Sequence, residues 1–219
     1  MKFKLTKPDS VFFAQSLSVA LVVVMLGANF SFAQSKTIID EWSSIQAPKP
    51  PELKPVTLEP KTTAFLILDI VKQFCSETRP RCAASVPKIQ AFLNQARAKG
   101  VSIVYTASTK TTAADIVKEV TPLQGDPVVQ GASDKFYKTD LEKILQEKGI
   151  KTVIVVGTAA HGAVIFTATE AAKRGFKVIV PVDGMSENPY VEQYTAWHLA
   201  NNPSYGAQVT LSKFDMIGF

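Results

Sequence analysis

Five strand-length runs in this chain are largely apolar with little alternation: TAFLILD (63–69), VSIVYT (101–106), TVIVVG (152–157), KVIVPVD (177–183) and QVTLS (208–212). A strand with one solvated face alternates apolar and polar residues, whereas a strand that is apolar throughout is covered on both faces. Segments of helical pattern lie between these runs: VPKIQAFLNQARAKG, TAADIVKEV, TDLEKILQEKG, AVIFTATEAAKRG and VEQYTAWHLANN. Helices between strands supply the right-handed crossovers that parallel pairing needs. The expected fold is therefore α/β, a three-layer α/β/α sandwich around a mainly parallel, Rossmann-like sheet. Gly100, Gly149 and Gly175 each follow a Lys or Arg in the last helical turn, which marks three helix ends.

Ahead of this body the chain divides into two further parts. Lys2, Lys4 and Lys7 precede the run SLSVALVVVMLGANFSFA, which ends in the small residues Ser31 and Ala33. That layout suits a secretory signal peptide over 1–33, cleaved after Ala33, and a secreted or periplasmic mature protein. An uncleaved anchor is the competing reading, because the apolar region approaches the roughly 20 residues a span requires. Asn29 and Ser31 interrupt it. Residues 34–61 carry Pro48, Pro50, Pro51, Pro55 and Pro60 and read as a Pro-rich extended arm, with the folded domain occupying 62–219.

Cleavage would remove three lysines and one aspartate, lowering the formal charge from +5 to +3. With so mild a surplus, and no basic run interleaved with aromatics, the chain lacks the footprint of a nucleic-acid partner. The two cysteines, Cys75 and Cys82 in QFCSETRPRCAAS, favour a disulfide in an exported chain. Closing so short a loop is worth about 2–3 kcal/mol. A reactive thiol is the alternative, but the spacing is neither a zinc knuckle nor a redox Cys-x-x-Cys.

In open parallel sheets ligands gather beyond the carboxyl ends of the strands. The positions to weigh are thus Asp69, Thr106–Lys110, Gly157–Ala163 and Asp183–Met185. Asp69, a lone carboxylate ending LILD, is either a cap bonded to backbone N–H groups or an acid/base group whose partial burial favours proton transfer. His161, in a turn rich in Gly and Ala, either caps a helix or titrates in a pocket. His198, beside Trp197 on a helical pattern, is expected at the surface or in packing.

Three segments in order resemble the isochorismatase-like (cysteine hydrolase) superfamily over about residues 62–212. The first is LILDIVKQF, with Asp69 in the register of the family's acidic residue and Phe74 in that of a pocket aromatic. The second is DKFYKTDLEKIL, with Phe136, Thr139 and Leu141 in place. The third is GTAAHGAVIFTATEAA, matching through Gly157, Val164, Thr167, Ala168, Glu170 and Ala171.

Relatives such as nicotinamidases use Asp, Lys and Cys, the Asp taking the thiol proton before thiolate attacks a carbonyl. In this register the Cys position holds Ala163 and the Lys position, six residues before Phe136, holds Gln130. Lys135 lies directly before Phe136 and is the alternative lysine. The resemblance also implies a pocket that includes Ala159, Ala160 and Gly162, and a non-proline cis peptide at Ala159–Ala160. The helix start after Gly162 would favour an anion.

True isochorismatases lack the cysteine and hydrolyse a vinyl ether by acid catalysis, and their turn similarly reads Ala-His before a small residue. The expectation is an exported hydrolase of a small molecule, working through Asp69 with His161 or Lys135 assisting and no cysteine nucleophile. The alternative is an inactive relative that binds a small carboxylated or aromatic ligand or a protein partner. No cofactor and no metal ligand set is expected, since VYTASTKTTAAD lacks the histidine that metal-binding relatives carry. A homo-oligomer fits the resemblance.

Overall fold

The computed structural model describes residues 36–219, so the expected signal segment lies outside the described residues. Residues 36–47 form one small unit, where Asp40 accepts hydrogen bonds from the backbone and hydroxyl of Thr37. Residues 48–219 form the second and larger one.

The larger unit is built on six parallel strands. In chain order its elements are β1 (Val56–Thr57), β2 (Thr63–Leu68), α1 (Pro80–Ala98), β3 (Ser102–Ser108), β4 (Val128–Gly131), α2 (Leu141–Glu147) and β5 (Thr152–Thr158). They continue with α3 (Ile165–Lys173), β6 (Lys177–Pro181), β7 (Met185–Ser186), α4 (Pro189–Asn201), β8 (Val209–Ser212) and β9 (Ile217–Gly218). The strand order is β4-β3-β2-β5-β6-β8, with β7 lying beside the end of β5.

Burial follows the side-chain alternation of the central strands. Ala64, Leu66, Leu68, Val153 and Val155 face a core shared with α2, α3 and Leu199 of α4, whereas Phe65, Ile67, Ile154 and Val156 face one shared with α1. Each face is dry, which is why these strands carry no polar stripe. Phe65 meets Phe92 of α1 edge-on at 5.1 Å, a contact worth about 0.5–1.5 kcal/mol beyond the area buried. The three-layer sandwich is the fold the apolar runs imply.

The helices close at Gly100, Gly149 and Gly175, all with positive φ. The segment TAADIVKEV departs from expectation, forming two 3-10 turns, Ala113–Asp115 and Lys118–Val120, in place of a helix. Val117 donates its N–H to Ile70 and Ile116 bridges Val71, so the chain beyond β2 captures backbone groups that a helix would have used internally. The four-residue β4 was not foreseen. Part of the Pro-rich arm becomes sheet, because Val56–Thr57 pairs in parallel with Ile217–Gly218. Lys54 also accepts a hydrogen bond from the Ser212 hydroxyl at 2.8 Å.

From β2 the chain winds outward through β3 and β4, then returns to β5 and proceeds the other way through β6 and β8. The reversal falls between β2 and β5. At such a switch point the connections leave in opposite directions and open a crevice at the carboxyl ends.

Candidate active site

That crevice is a cleft of about 350 Å³. Its wall takes Asp69 from just beyond β2, Ser108 and Thr109 from the end of β3 and the residue after it, Gly131–Ser133 from the end of β4 and the loop after it, and Thr158, Ala159, Gly162 and Ala163 from β5 and the following turn. Phe74 and Arg79 complete it from the β2–α1 connection.

Asp69 is 5% exposed and has φ 55°, the left-handed region that Asp tolerates better than most side chains. Both carboxylate oxygens are engaged. Thr106 Oγ1 donates to Oδ1 at 2.8 Å, and the Lys135 ammonium lies 2.8 Å from Oδ2. Beside it Gly157 has φ 132°, and a Cβ there would stand 2.0 Å from the carbonyl oxygen of Leu68. Only glycine allows β5 to approach the residue before Asp69 so closely.

Lys135 is fully buried. Its three N–H donors match three acceptors: Asp69, the Gly131 carbonyl at 3.1 Å and the Ala107 carbonyl at 3.4 Å. Burial pushes the ammonium below the usual lysine range, opposed by the Asp69 charge and its hydrogen bond. Two motif threonines hold the backbone here. Thr139 Oγ1 donates to the Lys135 carbonyl, and Thr167 Oγ1 accepts from the Lys135 N–H at 3.4 Å. The second and third motif segments therefore meet at Lys135.

Several expected positions are corrected. Gln130, the residue at the lysine register, is exposed on β4, and its amide donates to the Thr111 carbonyl at 2.6 Å. The cation beside Asp69 is Lys135, which sits behind the carboxylate and not on the cleft surface.

Phe136, the next residue, points away into the core, where its ring lies 6.2 Å from that of Phe176 and under the Arg174 guanidinium. Ala160 is likewise fully buried in that core. His161 is exposed and is not among the lining residues, because the wide turn Ala160–Val164 faces Ala159, Gly162 and Ala163 inward. The cis peptide is Thr158–Ala159, one bond earlier than expected. Asp183 accepts from the Phe214 N–H and does not line the cleft.

Asp69, Phe74, Ala159, Gly162 and Ala163 lie together on the cleft wall. Cys75 and Cys82 are joined as a disulfide. His198 is half-buried and bonds the Tyr205 hydroxyl. Sequence reasoning missed Arg79 and Ser133. For Arg79 the available signal was its place inside the Cys75–Cys82 loop.

Among the described residues no group of three or more His, Cys, Asp or Glu could hold a metal ion, and no helix is long and apolar enough to cross a membrane.

The isochorismatase domain family matches residues 63–213. The secreted isochorismatase effector Isc1 of Verticillium dahliae is 34% identical over 115 residues, covering 48% of this chain and 60% of its own. N-carbamoylsarcosine amidase from an Arthrobacter species is 28% identical over 151 residues, covering 56% of this chain and 57% of its own. The chain thus spans under two thirds of the length of both relatives. The crystal structure of an isochorismatase-like hydrolase from Alkaliphilus metalliredigens superposes with a TM-score of 0.64 at 23% identity, covering 70% of this chain and 94% of the other.

Proposed function

The chain belongs to the isochorismatase family, whose named members include hydrolases, and from that premise we propose that it hydrolyses a small molecule by acid/base chemistry at Asp69, with Lys135 assisting and no cysteine nucleophile. The observation that carries this reading is the buried Asp69–Lys135 pair at the edge of a cleft whose floor includes Ala163. A methyl group cannot attack a carbonyl. Both cysteines of the chain are held in the Cys75–Cys82 disulfide, so covalent thiolate catalysis has no thiol to use.

The pair supplies a way to store a proton. Lys135 Nζ lies 2.8 Å from Asp69 Oδ2, so a proton can pass between the two groups, and burial makes the Lys135 ammonium easier to deprotonate. For a vinyl ether, Asp69 then protonates the methylene carbon, water adds to the resulting oxocarbenium carbon and gives its surplus proton to the pair, and the adduct's C–O bond to the leaving alcohol breaks as the adduct's hydroxyl proton passes to the departing oxygen, leaving a carbonyl compound and an alcohol. Thr106 holds the other carboxylate oxygen and fixes the direction of transfer. His161, being exposed, has no part in this scheme.

The secreted relative, the disulfide and the layout of residues 1–33 together support an exported protein. Ala163 favours one other reading, a binding protein that has lost turnover. Purified protein tested against a panel of vinyl ethers, esters and amides separates the two. Turnover abolished by Asp69→Asn supports the hydrolase; activity that survives the substitution removes Asp69 from its role. No turnover together with ligand-induced thermal stabilisation supports the binding reading.

A further inference from the structure

Residues 36–47 begin a helix without completing it. The Thr37 N–H donates to Asp40 Oδ2 at 2.8 Å and the Asp40 N–H donates to Thr37 Oγ1 at 3.4 Å, the reciprocal cap that opens a helix, and the Glu41 N–H reaches the Thr37 carbonyl at 3.2 Å. Ile38, Trp42 and Ile45 recur at i, i+4 and i+7, so continuing this turn as a helix sets them in one stripe with Ile39 at its flank. All four apolar side chains are more than half exposed. So short a helix draws its stability from packing its apolar face and not from propensity, so it needs a surface to form on.

A surface of matching pattern lies on α4. Tyr190, Tyr194 and Trp197 have the same i, i+4, i+7 spacing and are 62%, 44% and 40% exposed, while α4 buries only Thr195 and Leu199. Its one acidic residue, Glu192, is answered by Arg81. Residues 48–219 carry twenty Lys and Arg against sixteen Asp and Glu, whereas residues 36–47 carry one against two, so the segment and the folded body are of opposite sign and attract.

The tether between them leaves the body on the α4 side. Leu53 packs on the core that holds Leu199 of α4 and Leu211 of β8, and the Lys54 N–H donates to the Leu211 carbonyl at 2.9 Å. Between that anchor and the apolar segment stand Pro48, Pro50 and Pro51, which keep the chain extended at about 3.1 Å per residue. A stiff extended stretch resists the sharp reversal that would fold the segment back beside its own exit, and favours delivery to a neighbouring molecule. Exchange of one element about a two-fold axis closes on itself, each copy giving and receiving the same contact.

We propose that a second copy of this chain covers the aromatic face of α4: residues 37–45 of each protomer complete their helix and lay Ile38, Trp42 and Ile45 across Tyr190, Tyr194 and Trp197 of the other, two such contacts making a two-fold dimer. The large aromatic side chains at the middle of each contact carry most of its energy.

Sedimentation equilibrium and intrinsic fluorescence of the purified protein test this together, because the two tryptophans of the chain, Trp42 and Trp197, lie one on each surface. The protein is expected to be dimeric toward about 100 μM, with Trp emission moving to the red as dilution separates the protomers. A charge in the middle of either surface, Trp42→Asp or Trp197→Asp, is expected to raise the dimer Kd by at least about tenfold. An equimolar mixture of the two variants keeps one intact contact, the segment of Trp197→Asp on the α4 face of Trp42→Asp, and is expected to associate more tightly than either variant alone. A protein that stays monomeric throughout overturns the proposal, as does a dimer whose Kd neither substitution changes or a mixture no tighter than its components. Should Trp197→Asp lose the native far-UV spectrum, Tyr194→Asp on the same stripe takes its place with the same expected and overturning results.

Discussion

Replacing Lys135 by Met tests the centre of the site, because the side chain is similar in length and removes only the charge and its donors. The Lys135 side chain is fully buried and that of Asp69 is 8% exposed, so water cannot replace the lost partner. Breaking a buried pair from one side costs about 3–5 kcal/mol, since the other charge is left uncompensated. The Gly131 and Ala107 carbonyls lose their donor in the same step, which places the expectation toward the upper end. For a domain of this size the corresponding fall in Tm is about 6–20 °C.

The assay is urea unfolding followed by far-UV circular dichroism with the disulfide intact, on Lys135→Met, Asp69→Asn and the double variant. Removing both charges relieves the penalty, so the double variant is expected to be less destabilised than the sum of the singles by at least about 2 kcal/mol. Gln130→Ala serves as control and is expected to cost no more than about 1 kcal/mol, the worth of one hydrogen bond. A Lys135→Met penalty below about 1 kcal/mol, or coupling within about 0.5 kcal/mol of zero, would refute the reasoning that Lys135 and not Gln130 completes the pair.

Gly157→Ala is expected to cost at least about 4 kcal/mol, because its Cβ would overlap the Leu68 carbonyl at a φ of 132°; a soluble protein with near-native Tm contradicts the packing described. Hydrogen bonds from Lys173, then Arg174, hold Glu170 below the usual glutamate range. Its folded value is depressed, so the stability it contributes is present above the unfolded pKa of about 4.3 and is lost as pH falls through the folded value. Glu170→Gln should flatten that acid limb and change stability at pH 7 by about 0.5 kcal/mol or less, read from urea midpoints against pH. Ala163→Cys should be alkylated by iodoacetamide in the native state, whereas the unsubstituted protein is not; labelling seen only after denaturation would place residue 163 away from the cleft surface.

The family motifs were legible because each serves a local or packing need that constrains residue type: glycine where β5 crowds Leu68, and threonines where backbone groups need partners. Their convergence on Lys135 was not legible. A register counted back from Phe136 lands on Gln130, but counting along a chain does not reveal where a strand ends and a loop folds back. The 3-10 turns of 113–120 escaped for a related reason, since Ile116 and Val117 are claimed by backbone groups of residues 70 and 71, distant in sequence.

What the sequence determined by itself is what repeats at short range: apolar strands, helix patterns with glycine ends, and an acidic residue closing the first central strand. Hydrophobic burial and backbone geometry act within a few residues, so they leave a periodic imprint. The tertiary structure alone decided which charges meet. It brought Lys135 to Asp69, turned Phe136 and Ala160 into the core, left His161 exposed and put Arg79 on the cleft wall. Electrostatic pairing depends on ångström distances between side chains from different elements, and those distances are set only when the two halves of the sheet separate around the end of β2.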